Sequence, residues 1–280
     1  MATRTRRSQR RTEALSRERI VETAIELLDT AGESGLTFRA LTERLATGPG
    51  AVYWHVANKG ELLGAATDAV VAAALAAEPA ASGGSGESAG SAEPAGSAGS
   101  AASAEPAASA EPAASAGSAD SPQDGIRAVA LGLFDAIEEH PWLATQLATQ
   151  LSRSLWATVA PRIFESIGRR IRALDVPESS WFAATSALMH YILGAAGQNA
   201  ANAASARTLG PDVDRARFLD AASTAWEELD PDDYPFTRTV ADQLRGHDDR
   251  EQFLAGIDLI LAGITALPRP GDEARTPPAT

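Results

Sequence analysis

Apolar residues recur at helical spacing along most of this chain, with two clear breaks. Near the start, Leu36, Leu41 and Leu45, together with Ala40 and Ala46, give one apolar face, while Arg39, Glu43 and Arg44 fall elsewhere on the cylinder. Thr47-Gly48-Pro49-Gly50 interrupts that helix, because Gly permits unusual dihedrals and Pro is tolerated only in a turn or in the first turn of a new helix. Ala51 to Val56 then reads as a second, very short helix in which Val52 and Val56 point inward and Ala51, Tyr53, Trp54 and His55 lie partly outward. Asn58 precedes Glu61 by three, a variant capping box that opens a further helix through Leu62, Ala66 and Val70.

The second half repeats the helical period. Asp124 to His140 carries Ile126, Val129, Ala130, Leu133, Phe134 and Ile137 as one stripe, and His140-Pro141 ends it. Pro141 to Ser154 and Pro161 to Leu174 read as two helices that each start with Pro in the first turn. After the Val176-Pro177 break, a long helix runs from Glu178 to about Asn202, followed by Phe218 to Leu229, a loop at Asp230-Pro231-Asp232-Asp233, and a last helix from Arg250 to Leu267. That last helix is apolar over more than one face, which predicts a partner helix. The fold class predicted is all-α.

Short helix, Gly-Pro turn, short helix is the pattern of a DNA-binding helix-turn-helix. Three ring side chains in a row on a solvent face fit contact with nucleic acid, although any one of them read alone is more often a core position than a contact. Lys59 sits in the first turn of its helix, where the dipole disfavours a cation, and a phosphate there would resolve the conflict.

Charge agrees with this placement. Up to Gly60 there are ten Lys or Arg against seven Asp or Glu, and from Glu61 onward fourteen against thirty, within a chain of formal charge -13. Seven arginines precede Ile20 (Arg4, Arg6, Arg7, Arg10, Arg11, Arg17 and Arg19), an arm suited to sequence-independent attraction to phosphates and equally readable as a solvated tail. The chain has no Cys, so it has no disulfide and no thiolate chemistry, as suits the cytoplasm. No apolar run is long enough for a membrane span, and no membrane partner is expected. Heavy Ala, Gly and Arg use points to a high-GC bacterial genome.

Five segments follow from these shifts: a basic arm over residues 1–15, the helix-turn-helix unit over 16–77, a linker over 78–122, a larger helical domain over 123–267 and a tail over 268–280. The linker consists of Ala, Ser, Gly, Pro and Glu, with SAEPA repeated at Ser91, Ser103 and Ser109, and has almost nothing to bury. Such a linker spans on the order of 35 to 40 Å between its ends, and each doubling of its length adds only about 0.6 kcal/mol of closure cost.

The run from Leu36 to Leu63, with the helix Ile20 to Gly32 before it, resembles the DNA-binding domain of the tetracycline-repressor (TetR) family. The resemblance is densest at Tyr53-Trp54-His55-Val56, Asn58-Lys59 and Leu62-Leu63. It extends to His190-Tyr191-Ile192-Leu193-Gly194 and to Phe253 through Ile260, which look like the two helices that form the dimer's four-helix bundle in the tetracycline repressors. The resemblance implies a homodimer on a palindromic double-stranded DNA operator. It also implies contacts to bases or backbone from Thr37 and Arg39, and sugar-phosphate contacts from Tyr53, Trp54, His55 and Lys59. Pro49, Gly50 and Ala51 depart from the family's Gln, Pro and Thr, so the operator does not carry over, although Ala51 can still touch a thymine methyl.

The resemblance further implies a small hydrophobic effector in the second domain. The polar and aromatic residues Trp142, Gln146, Gln150, Trp156, Phe164, Trp181, His190 and Gln198 are the candidates to line its pocket, a set suited to a large, partly flat molecule. Gln198 stands where the tetracycline repressors carry a Glu that serves their magnesium chelate. A neutral amide is a poor substitute on a hard cation, so no metal and no cofactor are expected. The four histidines are scattered and no His-x-x-x-His occurs, which argues against an enzyme. The expected function is a ligand-released repressor, with an effector-free regulator or an activator as the alternative.

Overall fold

In a computed structural model, residues 15–76, 121–153, 158–208 and 215–267 are described; the basic arm, most of the linker, Trp156 and the tail lie outside the described residues. Among the described residues the structure is all-α. Four helices make the amino-terminal unit: α1 (Arg17–Gly35), α2 (Phe38–Leu45), α3 (Pro49–Tyr53) and α4 (Lys59–Ala76). The larger unit follows with α5 (Pro122–Glu139), α6 (Trp142–Arg153), α7 (Val159–Arg172), α8 (Glu178–Thr208), α9 (Arg215–Glu227), α10 (Pro235–Val240), a 3-10 turn (Ala241–Leu244) and α11 (Asp249–Thr265).

Local chemistry sets the ends of the first helices. Ser16 caps α1, its hydroxyl accepting from the Arg19 N–H at 3.2 Å, and Thr37 caps α2 in the same way from the Ala40 N–H at 3.1 Å. Between them α1 kinks at Gly32, whose φ of 64° is open to glycine without a steric cost. The α2 end corrects the apolar face read from the sequence. Ala46 is exposed and left-handed (φ 50°), and its N–H closes the helix on the Glu43 carbonyl while the Thr47 N–H reaches the Thr42 carbonyl. Leu36, counted on the same face, lies before the cap and is buried all the same.

The amino-terminal core contains Ile20, Ala24, Leu28, Leu36, Leu41, Val52, Val56 and Leu62. α4 is shared. It packs on α1 and also on α5, α6 and α7, and near its end the Ala74 carbonyl lies 2.5 Å from where a Cβ on Gly132 would stand. In the larger unit, α8 runs beside α5, α7 and α11, with Ile126, Leu133, Ile163, Ile167, Leu188, Ile192, Phe253 and Ile257 among its core. Tyr191 lies over Gly256 of α11, and its hydroxyl donates to the Phe253 carbonyl at 3.1 Å. Only Phe253, Ile257, Leu261 and Ile264 of α11 are buried, while Leu259 is 75% exposed.

Two differences from the sequence expectation concern the remaining helices. Pro161 lies in the first turn of α7, as expected, but at its third position rather than its first, and Pro141 immediately precedes α6. The segment after Asp233, unassigned in the sequence, forms α10 and the 3-10 turn, which pack on α9. Polar ties hold that unit together: the Ser223 hydroxyl donates to the Ala241 carbonyl at 2.8 Å, and Arg245 reaches Asp220, Glu227 and Asp242. No helix of the described residues is long and apolar enough to cross a membrane.

Ala46 yields a stability prediction. A Cβ in the left-handed region costs on the order of 1 kcal/mol, part of which glycine returns through its freer unfolded chain. Ala46→Gly is therefore expected to stabilise the protein by about 0.5 kcal/mol, read as a higher urea midpoint at unchanged slope; a lower midpoint would contradict the capping geometry.

Candidate nucleic-acid interface

Inward and outward positions separate cleanly across α2 and α3. Leu41, Val52 and Val56 are buried, and the α3 turn continues through the His55 and Val56 N–H groups, both bonded to the Val52 carbonyl. Trp54 is thereby left 90% exposed and Tyr53 half-exposed. The Tyr53 ring stacks on Phe38 of α2 at 4.7 Å between centroids, so Phe38 is the platform that holds it. The sequence reading missed this residue, whose signal was an aromatic at the first, solvent-side position after a cap. Ala51 and His55 are half-buried, and Thr37 is exposed beside the α2 start.

The cations around this face are mostly matched. Arg17 pairs with Glu61 at 3.3 Å, Arg44 with Glu26 at 3.1 Å and Arg39 with Glu43 at 2.9 Å. Lys59 differs from the sequence expectation. Its ammonium donates to the Glu33 carbonyl at 2.6 Å, so the orphan carbonyls at the end of α1 offset the unfavourable dipole that a phosphate was expected to neutralise. Lys59 therefore ties the start of α4 to the end of α1.

The capping box forms as expected in kind. Asn58 Oδ1 accepts from the Glu61 N–H at 2.9 Å, while the Glu61 carboxylate reaches back to the Ala57 N–H at 2.8 Å. That N–H, and then the Arg17 guanidinium, hold the Glu61 carboxyl below its ordinary value of 4.5.

Of the eight effector candidates Trp156 lies outside the described residues, and the other seven are spread over several places. Trp142 and Gln146 face the amino-terminal unit. The Trp142 indole N–H donates to Asp29 Oδ1 at 2.7 Å, His140 Nδ1 meets the same oxygen at 2.7 Å, and the Gln146 amide donates to Glu33 Oε2 at 2.9 Å. Phe164 packs against Phe182 at 5.5 Å. Trp181 donates to the Val176 carbonyl at 3.1 Å beneath Arg172. His190 and Gln198 are exposed on α8, Gln198 donating to Asn202 at 2.9 Å, and Gln150 is half-buried on α6. A groove of about 590 Å3 between α6 and α8 instead has Ala144, Thr145, Ala148, Thr149, Ser152 and Leu193 on its walls. A second hollow of about 200 Å3 shares Ala144, Ala148 and Leu193 with it and is lined also by Leu147 and Leu151.

A capped helix-turn-helix with an outward aromatic face, joined through a shared helix to a larger helical unit, defines a DNA-binding regulator with a second, helical domain. Residues 20–66 match the profile of the bacterial regulatory proteins of the tetR family, and residues 116–267 that of the tetracyclin repressor-like C-terminal domain. The chain belongs to the TetR family of transcriptional regulators.

A TetR transcriptional regulator of Streptomyces coelicolor is 63% identical, with 91% of this chain and 100% of that one covered at a TM-score of 0.71. The TetR family protein ActR of the same organism, crystallised with actinorhodin, shares the fold at 18% identity and a TM-score of 0.62, over 91% of this chain and 97% of that one. The tetracycline repressor protein class C of Escherichia coli is 47% identical over 57 residues, 20% of this chain and 26% of that protein. An HTH-type transcriptional regulator of Saccharopolyspora erythraea is 43% identical over 56 residues, 20% of this chain and 24% of its own length. This chain thus matches about a quarter of the length of these two relatives.

The cap and its pH dependence are testable together. Asn58→Ala is expected to cost about 1 kcal/mol. Because the folded carboxyl of Glu61 titrates below its unfolded value, its stabilising contribution is complete above about pH 4.5 and is lost as the pH falls through the lowered folded value. Wild type and Glu61→Gln should therefore converge in denaturation midpoint on acidification. Parallel pH profiles would exclude the carboxylate as the source.

Proposed function

We propose that this protein is a homodimeric repressor that grips a palindromic operator through α2 and α3 and is released by a hydrophobic small molecule held in the larger domain. The observation that carries the reading is the sorting of side chains across the helix-turn-helix, with Val52 and Val56 buried and Tyr53, Trp54 and Arg39 turned to solvent. A nearly fully exposed Trp on a fold with a well-filled core is a contact residue. Tyr53, Trp54 and His55 clamp the sugar-phosphate backbone, Thr37 and Arg39 approach bases and the nearest phosphates, and Ala51 faces a thymine methyl. Lys59, while bonded to Glu33, keeps further ammonium donors for a phosphate.

Dimer formation is supported by the apolar surface left over on α8 and α11, where Phe182 and Leu259 are 73% and 75% exposed. Two such heads related by a two-fold axis read half-sites about 34 to 36 Å apart. For the effector, the groove between α6 and α8 replaces the scattered residues read from the sequence. Its Ala and Leu walls and the hydroxyls of Thr145, Thr149 and Ser152 suit a flat, mostly apolar molecule with oxygen substituents. A molecule seated there displaces α6, and α6 carries the Trp142 and Gln146 bonds to Asp29 and Glu33 of α1. Release then requires that the effector bind the displaced arrangement more tightly than the DNA-competent one. The working compartment of this reading is the bacterial cytoplasm.

Selection of sites from a random DNA pool tests the reading. One palindrome should be recovered, with Arg39→Ala and His55→Ala each lowering affinity for it by about tenfold or more; no enrichment above a salt-sensitive background would refute it. Separately, tetracycline titrations with and without magnesium are expected to coincide, since Gln198 offers a neutral amide already bonded to Asn202. Magnesium-dependent affinity would overturn that assignment.

A further inference from the structure

We propose that Glu43 sets the operator specificity of Arg39 by holding its guanidinium through Nε and presenting both Nη groups to a single guanine. The inference rests on the reading of α2 and α3 as the DNA-facing surface.

Three observations lead to it. First, the helix that should read bases is poor in donors: Gly48, Pro49, Gly50, Ala51 and Val52 precede Tyr53, and none carries a hydrogen-bonding side chain. Hydrogen-bond readout of base edges therefore concentrates on α2. Second, Arg39 is the one arginine of the described amino-terminal pairs whose carboxylate partner lies on its own helix. Arg17 and Arg44 are spent on Glu61 and Glu26, which bind one helix to another. The Arg39 side chain remains 88% exposed. Third, the contact is made by Nε, at 2.9 Å from Glu43 Oε1, and among the described residues neither Nη group has a partner.

The geometry matters because guanine offers two acceptors, O6 and N7, on its major-groove edge, and an arginine satisfies both with two N–H groups. A free arginine side chain samples many rotamers and contacts phosphates as readily as bases. With Nε held, the guanidinium plane is fixed and its outer edge carries the two Nη groups. The carboxylate acts a second way. Its side chain is 65% exposed on the surface that approaches the duplex, so it repels phosphates and lowers affinity for DNA that lacks the guanine. Glu43 is thus a positioning residue that raises affinity for the right sequence and lowers it for the wrong one. An i, i+4 pair this exposed contributes little to folding, so its removal leaves the structure in place.

The test uses the full chain, the palindrome recovered by site selection, the same palindrome with each guanine replaced in turn by 7-deazaguanine, and a random duplex. Glu43→Ala should reduce discrimination at one guanine by about twofold while tightening binding to the random duplex a few-fold. Glu43→Gln, which keeps an acceptor for Nε but not the charge, should preserve most of the discrimination and still tighten random binding. Arg39→Ala should lose discrimination at the same guanine, and the double variant should lose no more. If Arg39→Ala leaves operator binding unchanged, the surface does not face DNA and the reading beneath the proposal fails. If Arg39→Ala loses discrimination but Glu43→Ala does not, only the proposal is overturned. Equal thermal midpoints across the variants separate either result from unfolding.

Discussion

One helix belongs to two cores, and the rest of the molecule is arranged by it. α4 begins in the helix-turn-helix unit, where the Asn58 and Glu61 cap, the Arg17 pair and the Lys59 bond fix its first turn against α1. It ends against α5, close enough to Gly132 that any side chain there would meet the Ala74 backbone. Halfway along, Asp68 pairs with Arg162 of α7 at 3.3 Å. A buried helix packed at interior density cannot shift at one end without moving its neighbours at the other. The angle at which α2 and α3 are presented is therefore a property of the larger unit as much as of the head.

The seam beside α4 adds polar contacts to this packing. Asp29 accepts from both His140 and Trp142, and Glu33 is engaged through its carboxylate by Gln146 and through its carbonyl by Lys59. These acceptors flank Gly32, where α1 is bent. The end of α1 is thus held from α4 and from α6 at once.

Within residues 15–76 five Lys or Arg stand against eight Asp or Glu, so the described head is acidic rather than basic. Arg17, Arg39 and Arg44 each face a carboxylate; under the proposed function, general attraction to DNA falls to the arginines upstream of α1 in the sequence and discrimination to the folded surface. Separating attraction from discrimination in this way suits a regulator inside an acidic chain of formal charge -13.

What the sequence determined by itself is whatever acts over a few residues. The helical periods, the Gly-Pro turn, the inward pair Val52 and Val56, the Asn58 and Glu61 cap and the stripe of α5 were all legible, because a helix face and its cap are decided by positions three and four apart. Tertiary structure decided the rest. Trp142, which lines a hollow of about 640 Å3 against α1, and Gln146 take partners 113 positions away: a buried indole N–H or amide takes whichever acceptor folding brings to it. Lys59 found the end of α1, 26 residues upstream, and α10 formed in a segment that the sequence reading left unassigned. The groove between α6 and α8 is likewise invisible in sequence, since small and apolar residues line a gap as well as they fill a core, and only the distance between two helices distinguishes them.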